Sequence, residues 1–257
     1  MQFRRSLEAN GFTRVADASF LDTYYEIADG KYTLTTQDAW LRFRNYDGWQ
    51  ARNSEWQLKV RSPSDKKERA HDDDAASTTG AAQRDYTTAY VEYVGLVDVI
   101  GALVRLLPSA TLAAGEGGGG AASSSSSSPL LPPPVVVFPR ASPFACIGSH
   151  RESWVKSSSC GGGSSGRRIG SVVTVVIDSA DYDEGAARIG EVELCCEMKA
   201  GDPEGDASAT AKAKEEILLV GEQLGIDFNS DVDGKVARFM RRYCKAQFDE
   251  CTKTGAC

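Results

Sequence analysis

Polar and apolar residues alternate along Trp40-Leu41-Arg42-Phe43-Arg44, so a strand here puts Trp40, Arg42 and Arg44 on one face and Leu41 and Phe43 on the other. Two later stretches repeat the pattern. In Glu55 to Lys59, Lys59 lies opposite Trp56 and Leu58, and in Gly190 to Leu194, Glu191 and Glu193 lie opposite Val192 and Leu194. Strands are predicted over Phe20–Tyr25, Ala39–Tyr46, Glu55–Val60, Asp85–Tyr93, Cys146–Lys156, Val172–Ile177 and Ala187–Cys196. Asp47-Gly48 marks a hairpin between the second and third of these. Helical spacing predicts helices over residues 2–10, Leu96–Leu107, Ala209–Leu224 and Lys235–Phe248. The order of elements is that of an antiparallel α+β domain. Alternation alone leaves two readings of the charged faces: solvated, as in any half-buried sheet, or turned inward to line a polar barrel.

Low-complexity stretches interrupt this pattern. Residues 61–85 are polar with an acidic run at Asp72-Asp73-Asp74, residues 109–148 open with Gly, Ser and Pro runs, and residues 157–168 are again Ser/Gly-rich. Such compositions build no core, so all three are expected to be loop insertions in a single domain over residues 1–250. With 41% hydrophobic residues among 257, the chain can bury a sizeable core. A net charge of -7 argues against a nucleic-acid partner. No apolar run approaches the roughly 18 residues of a membrane span. Seven cysteines without a Cys-x-x-Cys pair are expected to be reduced thiols of a cytoplasmic protein.

The chemistry lies in the charged strand residues. Arg42, Arg44, Lys59 and Arg151 are strand cations, and Lys235 opens the last helix. Guanidinium forks match phosphate oxygens, so this set suits a polyanion. Glu92, Asp178, Glu191 and Glu193 are strand carboxylates, and clustered carboxylates suit Mg²⁺ shared with substrate phosphates. Together they fit metal-assisted phosphoryl transfer. Each charge taken alone is more often a surface or salt-bridged residue.

The order of short motifs narrows this. Asp22-Thr23-Tyr24-Tyr25, Trp40-Leu41-Arg42-Phe43-Arg44, Trp56-Gln57-Leu58-Lys59, Arg151-Glu152-Ser153-Trp154, Asp178-Ser179-Ala180-Asp181-Tyr182, Gly190-Glu191-Val192-Glu193 and Lys235-Val236-Ala237-Arg238-Phe239 follow one another as in the CYTH-domain family, the triphosphate tunnel metalloenzymes, which the chain resembles. The resemblance implies an eight-stranded antiparallel barrel forming a tunnel with inward charges and flanking helices. It implies triphosphate binding by Arg42, Arg44, Lys59, Arg151 and Lys235, with Lys59, Arg151 and Lys235 catalytic, Glu92 supporting, and Trp40 stacking on the organic moiety. It further implies Mg²⁺ held by Asp178, Glu191 and Glu193. The expected activity is hydrolysis of thiamine triphosphate by a monomer. An inorganic or nucleoside triphosphatase, or a non-catalytic triphosphate-binding module, are the alternatives. Two features depart from the family. Its opening Glu-x-Glu-x-Lys strand has no counterpart before Phe20, so the barrel is expected to lack its first strand here, with a start further upstream as the favoured account. Gln57 stands where the family tends to an acidic residue.

Overall fold

The computed structural model describes residues 2–27, 31–46, 54–62, 88–107, 138, 140–157, 172–180, 187–194, 203–226 and 234–256. In chain order these form α1 (Gln2–Ala9), β1 (Thr13–Ile27), a 3-10 turn (Thr35–Gln37), β2 (Ala39–Tyr46), β3 (Glu55–Arg61), β4 (Tyr90–Val94), α2 (Leu96–Leu106), β5 (Ala141–Ser157), β6 (Val172–Ala180), β7 (Ala187–Leu194), α3 (Pro203–Leu224), α4 (Lys235–Tyr243) and α5 (Lys245–Lys253). The strands make one antiparallel sheet in the order β4-β3-β2-β1-β5-β6-β7.

The sheet is strongly curled. Lys59 on β3 and Glu193 on β7 are five strand steps apart in that order, about 24 Å in a flat sheet. Their side chains nevertheless come within 4.0 Å. Among the described residues the closed eight-stranded tunnel of the family is not formed: seven strands are described, in keeping with the expected lack of the first strand, and β4 and β7 are the ends of the half-barrel. Closure needs edge-to-edge pairing of those two strands, and among the described residues only side chains cross the gap.

The curl separates the two faces of the alternating pattern. Leu41, Phe43, Trp56 and Leu58 pack outward with Tyr25 under Val99, Ala102 and Leu103 of α2. Trp154, Val173 and Val175 pack outward under Leu7 of α1 and Val220 and Leu224 of α3. Fully burying such a side chain stabilises by roughly 1.5–3 kcal/mol, which fixes the register, since a one-residue slip would turn the arginines into the apolar layer. The charged side chains are left on the concave face. Across that face lies α4, with Val236 and Phe239 packed on Tyr24, Ala145, Ile147 and Ala180.

Several boundaries differ from the sequence reading: β4 starts at Tyr90, β6 runs on to Ala180 and α3 starts at Pro203, and three further differences have a physical reason. β1 begins at Thr13, because pairing with β5 from Thr13↔Val155 onward holds an exposed segment that has no apolar stripe of its own. β5 begins at Ala141, inside the stretch expected as a loop to residue 148, again through pairing with β1. The expected helix Lys235–Phe248 is two helices broken at Cys244 (φ −131°, ψ 51°). The break lets α5 bury Gln247 and Cys251 against Thr35. Cys146 and Cys244 are free thiols, but Cys251 is disulfide-bonded, which corrects the all-reduced expectation and removes the cysteine argument for a cytoplasmic address. The Asp47-Gly48 turn, residues 63–85, 109–137 and 158–168, and Asp181-Tyr182 lie outside the described residues.

Candidate functional site

Strand pairing assembles one end of the concave face. Asp22 on β1 lies directly across from Arg44 on β2, and Arg151 on β5 across from Asp178 on β6. Arg44 donates to Asp22 through Nε at 2.7 Å and Nη2 at 2.8 Å. Arg151 grips Asp178 in the same two-pronged way, at 2.7 and 2.8 Å. Between the two carboxylates sits the Lys235 ammonium, 3.2 Å from Asp22 Oδ2, 3.3 Å from Asp178 Oδ2 and 3.3 Å from Ser149 Oγ. The helix N-terminus thus brings its first side chain to the joint of two strand pairs. Arg42 is 3.5 Å from Asp22 and donates to Gln57 Oε1 at 2.8 Å and to Glu92 Oε1 at 3.3 Å. Gln57 accepts here with an amide oxygen where a carboxylate was the family expectation, and turns its NH2 to Glu55.

The electrostatics follow from this wiring. Burial pushes the Asp22 carboxyl up, but the Arg44 hydrogen bond and the charges of Arg42 and Lys235 outweigh it and hold the group well below the usual carboxylate range. Asp178 is lowered in the same way, burial being overcome by Arg151 and Lys235. Burial also disfavours the Arg42 and Arg151 cations, yet their anionic neighbours keep both firmly charged. Three buried cations, Arg42, Arg44 and Lys235, and the half-buried Arg151 surround the two aspartates, which leaves cations in excess, with Glu92 pairing Arg42 at the rim.

The other end is acidic. Glu191 and Glu193 share the inner face of β7, opposite Val176 and Thr174 of β6. Burial, and then the charge of Glu193, raises the Glu191 carboxyl; Arg151 and Lys59 pull it back only in part. Lys59 is the cation of this end, 4.0 Å from Glu193 and paired across the strands with Glu92. Glu92 itself is 38% exposed at the side chain, so it forms a rim.

The expected site residues therefore divide into two groups. Arg42, Arg44, Arg151, Lys235 and Asp178 meet at the cationic end, and Lys59, Glu191 and Glu193 at the acidic end, with Glu92 between them. Trp40 stands apart: its Nε1 donates to Asp38 Oδ1 at 2.8 Å, where Tyr90 and Arg61 also converge. Among the described residues no three His, Cys, Asp or Glu side chains gather as a metal-binding group. Asp178 has both oxygens engaged by Arg151 and Lys235. The mutually repelling pair Glu191 and Glu193 is the donor set that suits a hard divalent cation, with ligand oxygens completing the shell.

Two central residues were not among the expected site residues. Asp22 bonds three of the four cations, and Phe20, two positions earlier on the same face, lies against three of them. Asp22 opens one of the short motifs, but nothing local marks it as an ion-pair centre, since Lys235 is 213 residues away in sequence.

No family model and no curated protein matches the chain. Solved structures of similar outline exist. A Hippeastrum protein, provisionally named an adenylyl cyclase and described as having a dominant triphosphatase activity, is 15% identical over 94% of this chain and 90% of its own, with a TM-score of 0.43. A Bacillus halodurans protein provisionally named an adenylate cyclase is 13% identical over 92% of this chain and 90% of its own, with a TM-score of 0.39. A Pyrococcus horikoshii protein is 13% identical over 88% and 84% of the two chains, at 0.38.

Proposed function

We propose that the concave face binds a triphosphate and hydrolyses it with Mg²⁺, as the resemblance to the CYTH-domain family implies. The observation that carries this is the separation of charge: an end where four cations gather on two aspartates, facing a carboxylate pair across one curled sheet. A triphosphate chain laid between the ends meets cations at one end and the metal donors at the other. Arg42, Arg44, Arg151 and Lys235 bind phosphate oxygens and hold them against the developing charge. Glu191 and Glu193 would hold Mg²⁺, which when bound neutralises charge on the phosphates. Lys59, beside Glu193, contacts the phosphate nearest that end. Water adds to the terminal phosphorus as the bridging P–O bond breaks, and a diphosphate leaves.

Thiamine triphosphate is the substrate proposed. Trp40, its indole plane fixed by Asp38, offers a face for a cationic thiazolium ring. A second reading, inorganic tripolyphosphate, is favoured by the Trp40 indole hydrogen-bonding Asp38, while Asp22 and Asp178 organise the arginines and Lys235. The test is phosphate release from thiamine triphosphate, tripolyphosphate and ATP, with and without Mg²⁺. Preference for the thiamine ester that Trp40→Ala abolishes supports the first reading. Equal turnover of tripolyphosphate, indifferent to Trp40→Ala, supports the second. Calorimetric binding without turnover of any of them makes the protein a triphosphate-binding module, and no binding overturns the proposal.

A further inference from the structure

The cationic end has an aromatic floor. Phe20 on β1 is 3% exposed, and its ring lies under the guanidinium of Arg44, with Cζ 3.8 Å from the ring centroid. The Lys235 ammonium is 5.1 Å from the same centroid and Arg151 Cζ is 5.6 Å from it. Three cations from β2, β5 and α4 thus share one ring. Tyr46 meets that ring edge-on, with centroids 5.9 Å apart, and props it from the side.

This arrangement differs in kind from the carboxylate contacts. Asp22 and Asp178 use the Nε and Nη2 donors of their arginines, and Nη1 of each has no hydrogen-bond partner among the described residues. A ring face attracts a cation without consuming any N–H donor, because the attraction is to the ring quadrupole. A guanidinium is also poorly hydrated on its faces, so an aromatic floor suits it better than water does. The aspartates fix one edge of each fork and the ring fixes the plane, which leaves donors for an incoming anion in a preset geometry. An aliphatic side chain could fill the same space but would not hold three like charges close together.

We propose that Phe20 is a positioning residue for the triphosphate site, with its ring face holding Arg44, Arg151 and Lys235 in register for one phosphate group. It rests on the proposed triphosphate function and deepens it.

The experiment compares the full chain with Phe20→Leu, Phe20→Met and Phe20→Tyr, measuring tripolyphosphate binding by calorimetry as a function of salt, with the melting temperature of each variant. The aliphatic variants are expected to bind about tenfold more weakly and with a shallower salt dependence, while Phe20→Tyr, which keeps the face, binds as the unaltered chain does. Phe20→Met serves where Phe20→Leu melts too low to assay. Aliphatic variants that bind as tightly as the unaltered chain would overturn the inference. So would equal weakening by Phe20→Tyr and the aliphatic variants, since that is the mark of packing alone. Failure of the unaltered chain to bind tripolyphosphate would sink the triphosphate reading instead, and the inference with it.

Discussion

The two ends of the concave face solve the problem of buried charge in opposite ways. At the Phe20 end, Asp22 and Asp178 each touch at least two cations within 3.3 Å. At the β7 end, Glu191 has Glu193 as its strongest charged neighbour, and Lys59 stands 4.0 Å from Glu193. At one end both carboxylates are fully paired while the cations remain in excess. The other holds repulsion that Arg151 and Lys59 relieve only in part, a state that favours a cation. Stability is concentrated where the phosphate would be gripped, and strain where a metal would sit.

Their pH signatures should therefore have opposite signs. The Asp22 and Asp178 carboxyls are lowered on folding from an ordinary value of 3.8. Their stabilisation is in place above that value and is lost as pH falls through the lowered folded values. Glu191 is raised on folding from 4.5. Its contribution favours the folded chain below 4.5 and is lost as pH rises through the raised value, so near pH 7 it is a penalty.

The sharpest way to break this comparison is Asp22→Ala. It leaves Arg42, Arg44 and Lys235 buried beside one another without their shared anion, and should cost about 3–5 kcal/mol in urea unfolding at pH 7. A loss under about 1 kcal/mol would mean that the network is not the stable end. Arg44→Lys is a smaller change, since a lysine keeps the charge but loses the two-pronged bond and the plane over Phe20. It should cost about 1–3 kcal/mol, and tripolyphosphate affinity should fall with it. At the acidic end the sign reverses: Glu191→Gln should raise stability at pH 7 by up to about 1 kcal/mol and abolish any melting-temperature gain produced by Mg²⁺. Destabilisation by this substitution would refute the claim of net repulsion. Lys59→Ala should change stability least, by about 0.5 kcal/mol or less, because its pair is partly exposed and long. A large drop in phosphate release from that same variant would separate a role in activity from a role in folding.

Local patterning carried much of the architecture. Ala39–Tyr46 follows from alternation ended by the Asp47-Gly48 turn signal, and α2 from apolar residues at helical spacing stopped by Pro108. Elements without a pattern of their own were not readable. The exposed start of β1 is a strand only because β5 lies beside it, and the break at Cys244 exists because α5 turns aside to dock on Thr35. The departure from the family's opening motif carried the expectation of a missing first strand, and among the described residues the sheet is a seven-stranded half-barrel.

The sequence by itself determined which residues are charged on one strand face and apolar on the other, because period-two geometry is a property of each strand. It could not decide whether that charged face meets water or meets itself. That was settled by the curl of the sheet, which carries β3 to within a side chain of β7, and by α4, which brings Lys235 between Asp22 and Asp178. The roles of Asp22 and Phe20 likewise come from partners far along the chain, and ion pairs and ring contacts depend on distance in space.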